Sequence, residues 1–293
     1  MLGDVIFFAV SGFCLYNIKD NFINWYKKRI IRIYPKVWII TIIYLLIGFY
    51  TLEKMNIIQY FIYPTYYHFI ASIIILYIFY YLIIKIEVLR QNIPKLMIGT
   101  FIIQLIIYIF FYNKTYYHID VVREPMIRFL FFEAMLLGTY FRINKEKYMN
   151  KNNKINWVIL LISMLTYFIS KLIFSKIESI SILQITNQYI LIFTLYYILK
   201  CFAGIDYKLE KMPNKLKKII EYIAKITLEI YLVQYPIIPL LADKMPFPIN
   251  WIIITGLILI LATLLHISVE IITKQINNIK GKRKNETITN RSI

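Results

Sequence analysis

RINKEKYMNKNNKINWVILLISMLTYFISKLIF, residues 142–174, holds the pattern that decides the fold. Its first part, 142–154, is a short loop carrying Arg142, Lys145, Lys147, Lys151 and Lys154 against one acid, Glu146. Its second part, 155–174, is an apolar run whose only charged residue is Lys171. A bilayer core about 30 Å thick takes about 20 apolar residues at about 1.5 Å each. The run is long enough to span, and short basic loops stay on the cytoplasmic side.

The same alternation extends in both directions. Apolar spans are predicted at 4–18, 34–50, 66–84, 96–112, 126–141, 155–174, 180–199, 219–241 and 249–273. Loop 19–33 carries Lys19, Lys27, Lys28, Arg29 and Arg32 against Asp20. Loops 85–95 and 200–218 and the tail from Lys274 are basic too, whereas loops 51–65, 113–125, 171–179 and 242–248 are near neutral. Every second loop is basic, which places those loops and the carboxyl terminus in the cytoplasm and the amino terminus outside. The expected fold is all-α, a polytopic membrane helix bundle of about nine transmembrane helices over 1–273 with a basic cytoplasmic tail over 274–293.

Composition agrees. The 293 residues are 59% apolar and 17% aromatic, with a mean hydropathy of +0.61, against about 45–50% apolar in soluble domains. A net charge of +18 invites a nucleic-acid reading, but its confinement to alternate short loops excludes that partner. Cys14 and Cys201 show no metal-ligand spacing. No metal and no bound cofactor are expected.

Polar groups at membrane depth are costly and mark candidate sites. Lys36 stands near a span end and is expected to snorkel. Lys225 and Glu229, four apart, are expected to pair on one helix. Glu133, Glu229 and Glu270 read first as interhelical bonds. His118 falls in an outer loop and is expected to be solvated, His266 to pack, and His68 to open the third span near the outer face. Aromatic clusters such as YPTYYHF and FYNKTYYH read mainly as interfacial belts.

The first basic loop admits two readings. Arg29 and Arg32, three apart, share one face of a helix. Two guanidinium forks there suit a phosphate-bearing ligand. They equally suit a topogenic signal that touches anionic lipid.

FFAVSGFCL at 7–15 and RIIRIYPKVW at 29–38 together resemble the integral membrane acyltransferase 3 family, polysaccharide O-acyltransferase type. Phe7, Phe8, Ser11, Gly12 and Phe13 match its FF-x-x-SGF segment, and Arg29, Arg32, Ile33, Tyr34, Pro35 and Trp38 its R-x-x-R-I-Y-P segment. The resemblance continues through YYHFIASIIILYIFY at 66–80, with Phe69 and Ile70 where a Trp-Phe pair is usual, and RFLFFEAMLLGTYF at 128–141 with Gly138. It runs on through TLEIYLVQYPII at 227–238, where Gln234 replaces a His, and LLHISVEIITK with its closing Glu270.

The resemblance implies a multi-pass enzyme of the bacterial inner membrane. Such an enzyme moves an acyl group, commonly acetyl, from cytoplasmic acyl-CoA to a hydroxyl of a surface polysaccharide or related glycan. Implied partners are membrane lipids, acyl-CoA as co-substrate and a glycan or lipid-linked sugar acceptor. By residue match, Arg29 and Arg32 are the donor-binding candidates. Ser11, Tyr34, Tyr231 and Gln234 are candidate pathway-lining residues, the hydroxyls as oxyanion donors. No residue is a clear base, and His68 is the one candidate. The family's base lies on a helix that precedes FF-x-x-SGF, whereas Met1 stands just before this segment. The missing span and the charge count agree, so residues 1–293 alone are expected to be inactive. The alternative from another class is a non-enzymatic membrane protein, either a degenerate homologue or a component of glycan transport.

Overall fold

The computed structural model describes residues 1–53, 56–65, 67–120 and 125–289, with side chains as far as Gln275. Among the described residues there is no strand. The helices are α1 Leu2–Leu15, α2 Phe22–Leu46, α3 Ile57–Phe61, α4 His68–Lys85, α5 Glu87–Gln91, α6 Ile93–Phe111 and α7 Met126–Ile143. They continue as α8 Lys145–Tyr148, α9 Lys154–Lys176, α10 Ile185–Gly204, α11 Asp206–Glu210, α12 Asn214–Lys225, α13 Thr227–Leu241 and α14 Ile249–Thr289. A 3₁₀ turn at Glu178–Leu183 precedes α10.

Each predicted span falls largely on helix, but among the described residues four helices are by themselves long and apolar enough to cross a membrane: α4, α6, α9 and α14 over Ile249–Gln275. The span predicted at 219–241 is broken. Helices α12 and α13 meet at Ile226 with a bend of 65°, and count as a fifth span only if taken together. The other predicted spans fall on helices that are short or polar. Helix α1 has 14 residues, and α2 carries its basic residues inside the helix. Helix α7 contains Arg128, Glu133 and Arg142, and α10 contains Asn187 and Gln188. The segment read as a tail from 274 continues α14 as helix to Thr289.

The chain divides into two compact units, Met1–Tyr26 with His68–Met212, and Lys27–Tyr67 with Pro213–Ile293. In the first unit α1 lies directly against α7. A Cβ at Gly12 would sit 2.0 Å from the Met135 carbonyl oxygen, and one at Gly138 would sit 1.8 Å from that of Ala9. Only glycine permits this backbone contact, the small-residue packing common between membrane helices. The Tyr80 hydroxyl seals it, donating to the Gly12 carbonyl at 2.7 Å beside Thr139 Oγ1 at 2.9 Å. Phe8 stacks on Phe131 with ring centroids 4.4 Å apart, and Phe7 meets Phe69 at 4.7 Å. The FF-x-x-SGF segment is therefore mostly a packing device.

In the second unit the tyrosines expected at an interfacial belt are partly core. Tyr50, Tyr60 and Tyr67 are buried, with Tyr50 stacked on Tyr60 at 5.1 Å and edge-on to Tyr67 at 6.3 Å. The Tyr44 hydroxyl donates to the Val233 carbonyl at 3.3 Å, joining α2 to α13.

Candidate functional site

Helix α2 runs unbroken through Pro35. Arg29, Arg32 and Lys36 therefore recur at intervals of three and four and form one stripe along it. Arg29 is half-buried and Arg32 exposed, with the Nε of Arg29 inside the protein. The stripe ends in a buried ionic node. Lys36 Nζ lies 2.7 Å from Oε1 of Glu229, a residue with no exposed surface. His266 Nδ1 reaches the same oxygen at 2.6 Å. On its other side, His266 Nε2 stands 3.3 Å from Glu270 Oε1, close enough for an ion pair yet outside hydrogen-bond geometry. Lys225 Nζ closes the series on Glu270 at 2.9 Å.

This series of basic and acidic side chains corrects three expectations. Lys36 does not snorkel, because a buried carboxylate holds its ammonium. Lys225 does not pair with Glu229, because the break at Ile226 redirects α12 and its ammonium bonds Glu270 instead. His266 is a hydrogen-bonding member of the node as well as a packed side chain. A buried carboxylate pays a large desolvation penalty that only close counter-charges and hydrogen bonds offset. Glu229 thus fixes α2, α13 and α14 to one another. Glu229 balances the charge of the Lys36 ammonium within the protein.

The remaining candidates divide between the units. Tyr34 donates its hydroxyl proton to the Ile62 carbonyl, and Trp38 Nε1 donates to the Phe61 carbonyl at 2.8 Å. Together, with rings edge-to-face at 5.5 Å, they clamp the end of α3. Tyr231 is half-buried on α13. Gln234, three residues on, lines a groove of about 410 Å³ between α13 and α14 with Asn250 and Trp251. Ser11 and His68 belong to the first unit, each half-buried, the second at the head of α4. The second unit thus gathers Arg29, Arg32, Tyr34, Tyr231 and Gln234.

Two further residues depart from expectation. His118 is buried rather than solvated. Its ring stacks on Tyr112 at 4.8 Å, and its backbone N–H donates to Gln184 Oε1 at 2.9 Å. Glu133 makes no interhelical hydrogen bond among the described residues. It is buried on α7, and both its carboxylate oxygens lack a hydrogen-bond partner among the described residues.

Lys36, Glu229 and His266 were missed as one assembly. The signal was present: Lys36 continues the arginine spacing by one turn, and acids and a histidine recur at depth in the late helices.

A family model described as an acyltransferase domain, of the acyltransferase 3 type, matches residues 1–270. The chain belongs to the acyltransferase 3 family. No curated protein and no solved structure matches it. The matched range takes in both units, the arginine stripe and every member of the ionic node. In this acyltransferase the R-x-x-R-I-Y-P segment has two kinds of residue. Tyr34 and Trp38 hold the fold, and Arg29 and Arg32 line the α2 stripe that the node secures.

Proposed function

We propose that this membrane acyltransferase moves an acyl group, acetyl foremost, from acyl-CoA to a hydroxyl of a surface polysaccharide or related glycan at the cell membrane. The observation that supports the donor is the α2 stripe. Its two guanidiniums stand one turn apart on one face of a helix that a buried carboxylate ties down at Lys36. Two forks on one face suit the multiple oxygens of a CoA phosphate.

In the reaction the acceptor oxygen attacks the thioester carbonyl carbon and the carbon–sulfur bond breaks. The acceptor's proton passes to a base and then to the leaving thiolate. A tetrahedral oxyanion forms between these events and needs hydrogen-bond donors. Two histidines stand as candidate bases. His68 is half-buried at the head of α4. His266 is the one oriented by a carboxylate, with Glu229 holding Nδ1 as the donor, an arrangement that fixes a tautomer.

The reading is tested with radiolabelled acetyl-CoA and membranes containing the chain. Label retained on the protein and competed by unlabelled CoA but not by acetate supports the donor. Label appearing in glycan identifies the acceptor. Failure to bind acetyl-CoA at all overturns the reading.

A further inference from the structure

We propose a phosphate-binding pocket in the first unit, at the corner where α8 turns into α9 against the end of α10. It does not depend on the acyl-transfer reading. A cavity of about 560 Å³ opens there, and three lysines line it, Lys147, Lys151 and Lys200, with no carboxylate among the lining residues. Aromatic faces steady two of the ammonium groups. Lys147 lies over the Tyr148 ring at 5.6 Å, and Lys200 over Tyr196 at 5.6 Å.

The neutral lining groups are donors as well. Asn152 Oδ1 accepts from Trp157 Nε1 at 2.9 Å. Asn153 Oδ1 caps α9 by accepting from the Ile155 N–H at 2.9 Å. With both amide oxygens engaged, the Nδ2 groups remain as donors. The capped terminus belongs to a helix of 23 residues, whose first turn adds partial positive charge. Tyr148 stays a protonated phenol, because burial and hydrogen bonds with Tyr140 and Tyr196 hold it above the usual range.

Asn156 points to a ligand. It is only 8% exposed, it lines the cavity, and its side-chain amide makes no hydrogen bond among the described residues. Its amide therefore offers a donor and an acceptor to whatever occupies the cavity. The corner is also rigid. Asn150 adopts a left-handed φ of 58°, its N–H donates to the Ala203 carbonyl at 2.9 Å, and its Oδ1 accepts from the Tyr207 N–H at 2.8 Å.

A loop that only sets topology needs charge, not a fixed concavity with an unbonded amide on its wall. A carboxylate presents its oxygens in one plane, whereas the tetrahedral oxygens of a phosphate ester meet donors that converge from several sides. Either an anionic phospholipid headgroup or a soluble phosphorylated molecule brings that group.

The test uses the whole chain in detergent. Inorganic pyrophosphate, followed by equilibrium binding, probes the soluble source. Phosphatidylglycerol against phosphatidylcholine, followed by native mass spectrometry, probes the lipid source. Binding in one arm is expected, weakened about tenfold by Asn156→Ala, which removes no charge. Lys200→Gln should weaken it similarly, while Lys154→Gln, just outside the cavity, should leave it intact. An unchanged melting temperature in Asn156→Ala separates lost binding from lost fold. Absence of binding in both arms overturns the proposal. So does equal loss in Lys154→Gln and Lys200→Gln, which would show diffuse attraction, or no effect of Asn156→Ala.

Discussion

Glu133 and Glu229 are buried to nearly the same degree, 1% and 0% exposed, the first midway along α7 and the second in the first turn of α13. Their surroundings are opposite. Glu229 bonds Lys36 and His266 within 2.7 Å, while the carboxyl of Glu133 has no hydrogen-bond partner among the described residues. Depth alone therefore does not define a role for an acid in such a protein. The company does: Glu229 joins three helices through opposite charge, and Glu133 is held by packing.

The largest expected effect follows directly. Glu229→Gln leaves the Lys36 ammonium without its buried counter-charge, which should cost about 3–5 kcal/mol, read as a lowered unfolding midpoint in detergent. An apolar exchange of both partners, Lys36→Met with Glu229→Leu, should recover most of that loss, because an apolar pair pays no desolvation. If the double variant is no better than the single one, the loss lies in the His266 contact with the same Glu229 oxygen and not in the Lys36 pair.

Within the first unit the corresponding strength lies in backbone contact. Gly12→Ala inserts a methyl where the Met135 carbonyl oxygen stands, and α1 must move off α7. Overpacking of this kind costs about 1–3 kcal/mol or more. The same change at Gly99, with nothing near its Cβ position, should leave the melting temperature unmoved or slightly raised.

The smallest effect is expected at Glu133. Glu133→Gln keeps the shape and breaks no hydrogen bond, so the unfolding midpoint should shift by less than about 1 kcal/mol. A loss as large as that of Glu229→Gln would mean that Glu133 bonds a partner, and the contrast between the two acids would collapse.

The architecture was legible because apolar length and loop charge are local properties. Residues 155–174 read as a span and form a helix long and apolar enough to be one, Lys154–Lys176. The helices at 126–141 and 180–199 were legible as helices. Their polar residues Glu133 and Asn187 look inward, so composition alone makes them poor spans. The break at Ile226 was not legible. Nothing between Lys225 and Thr227 is a proline or glycine, and the four-residue spacing of Lys225 and Glu229 pointed to one helix. That break is why the pairing was misread. Lys36 and His266 were undervalued for another reason: their partner lies at Glu229, 193 and 37 residues away, and spacing rules reach only a few turns. His118 was misjudged because the loop around it packs instead of floating. The placing of Arg29 and Arg32 on one helix face is legible from their spacing, and Lys36 lies one helical turn further along that face.

The most direct measurement is the affinity of the purified chain for acetyl-CoA, compared with that of Arg32→Lys at low and moderate salt. Lysine keeps the charge and loses the fork, so affinity should fall about tenfold, roughly 1.4 kcal/mol, with the unfolding midpoint unchanged. Equal affinity in the two proteins would contradict the account and leave the α2 arginines with a topogenic role alone.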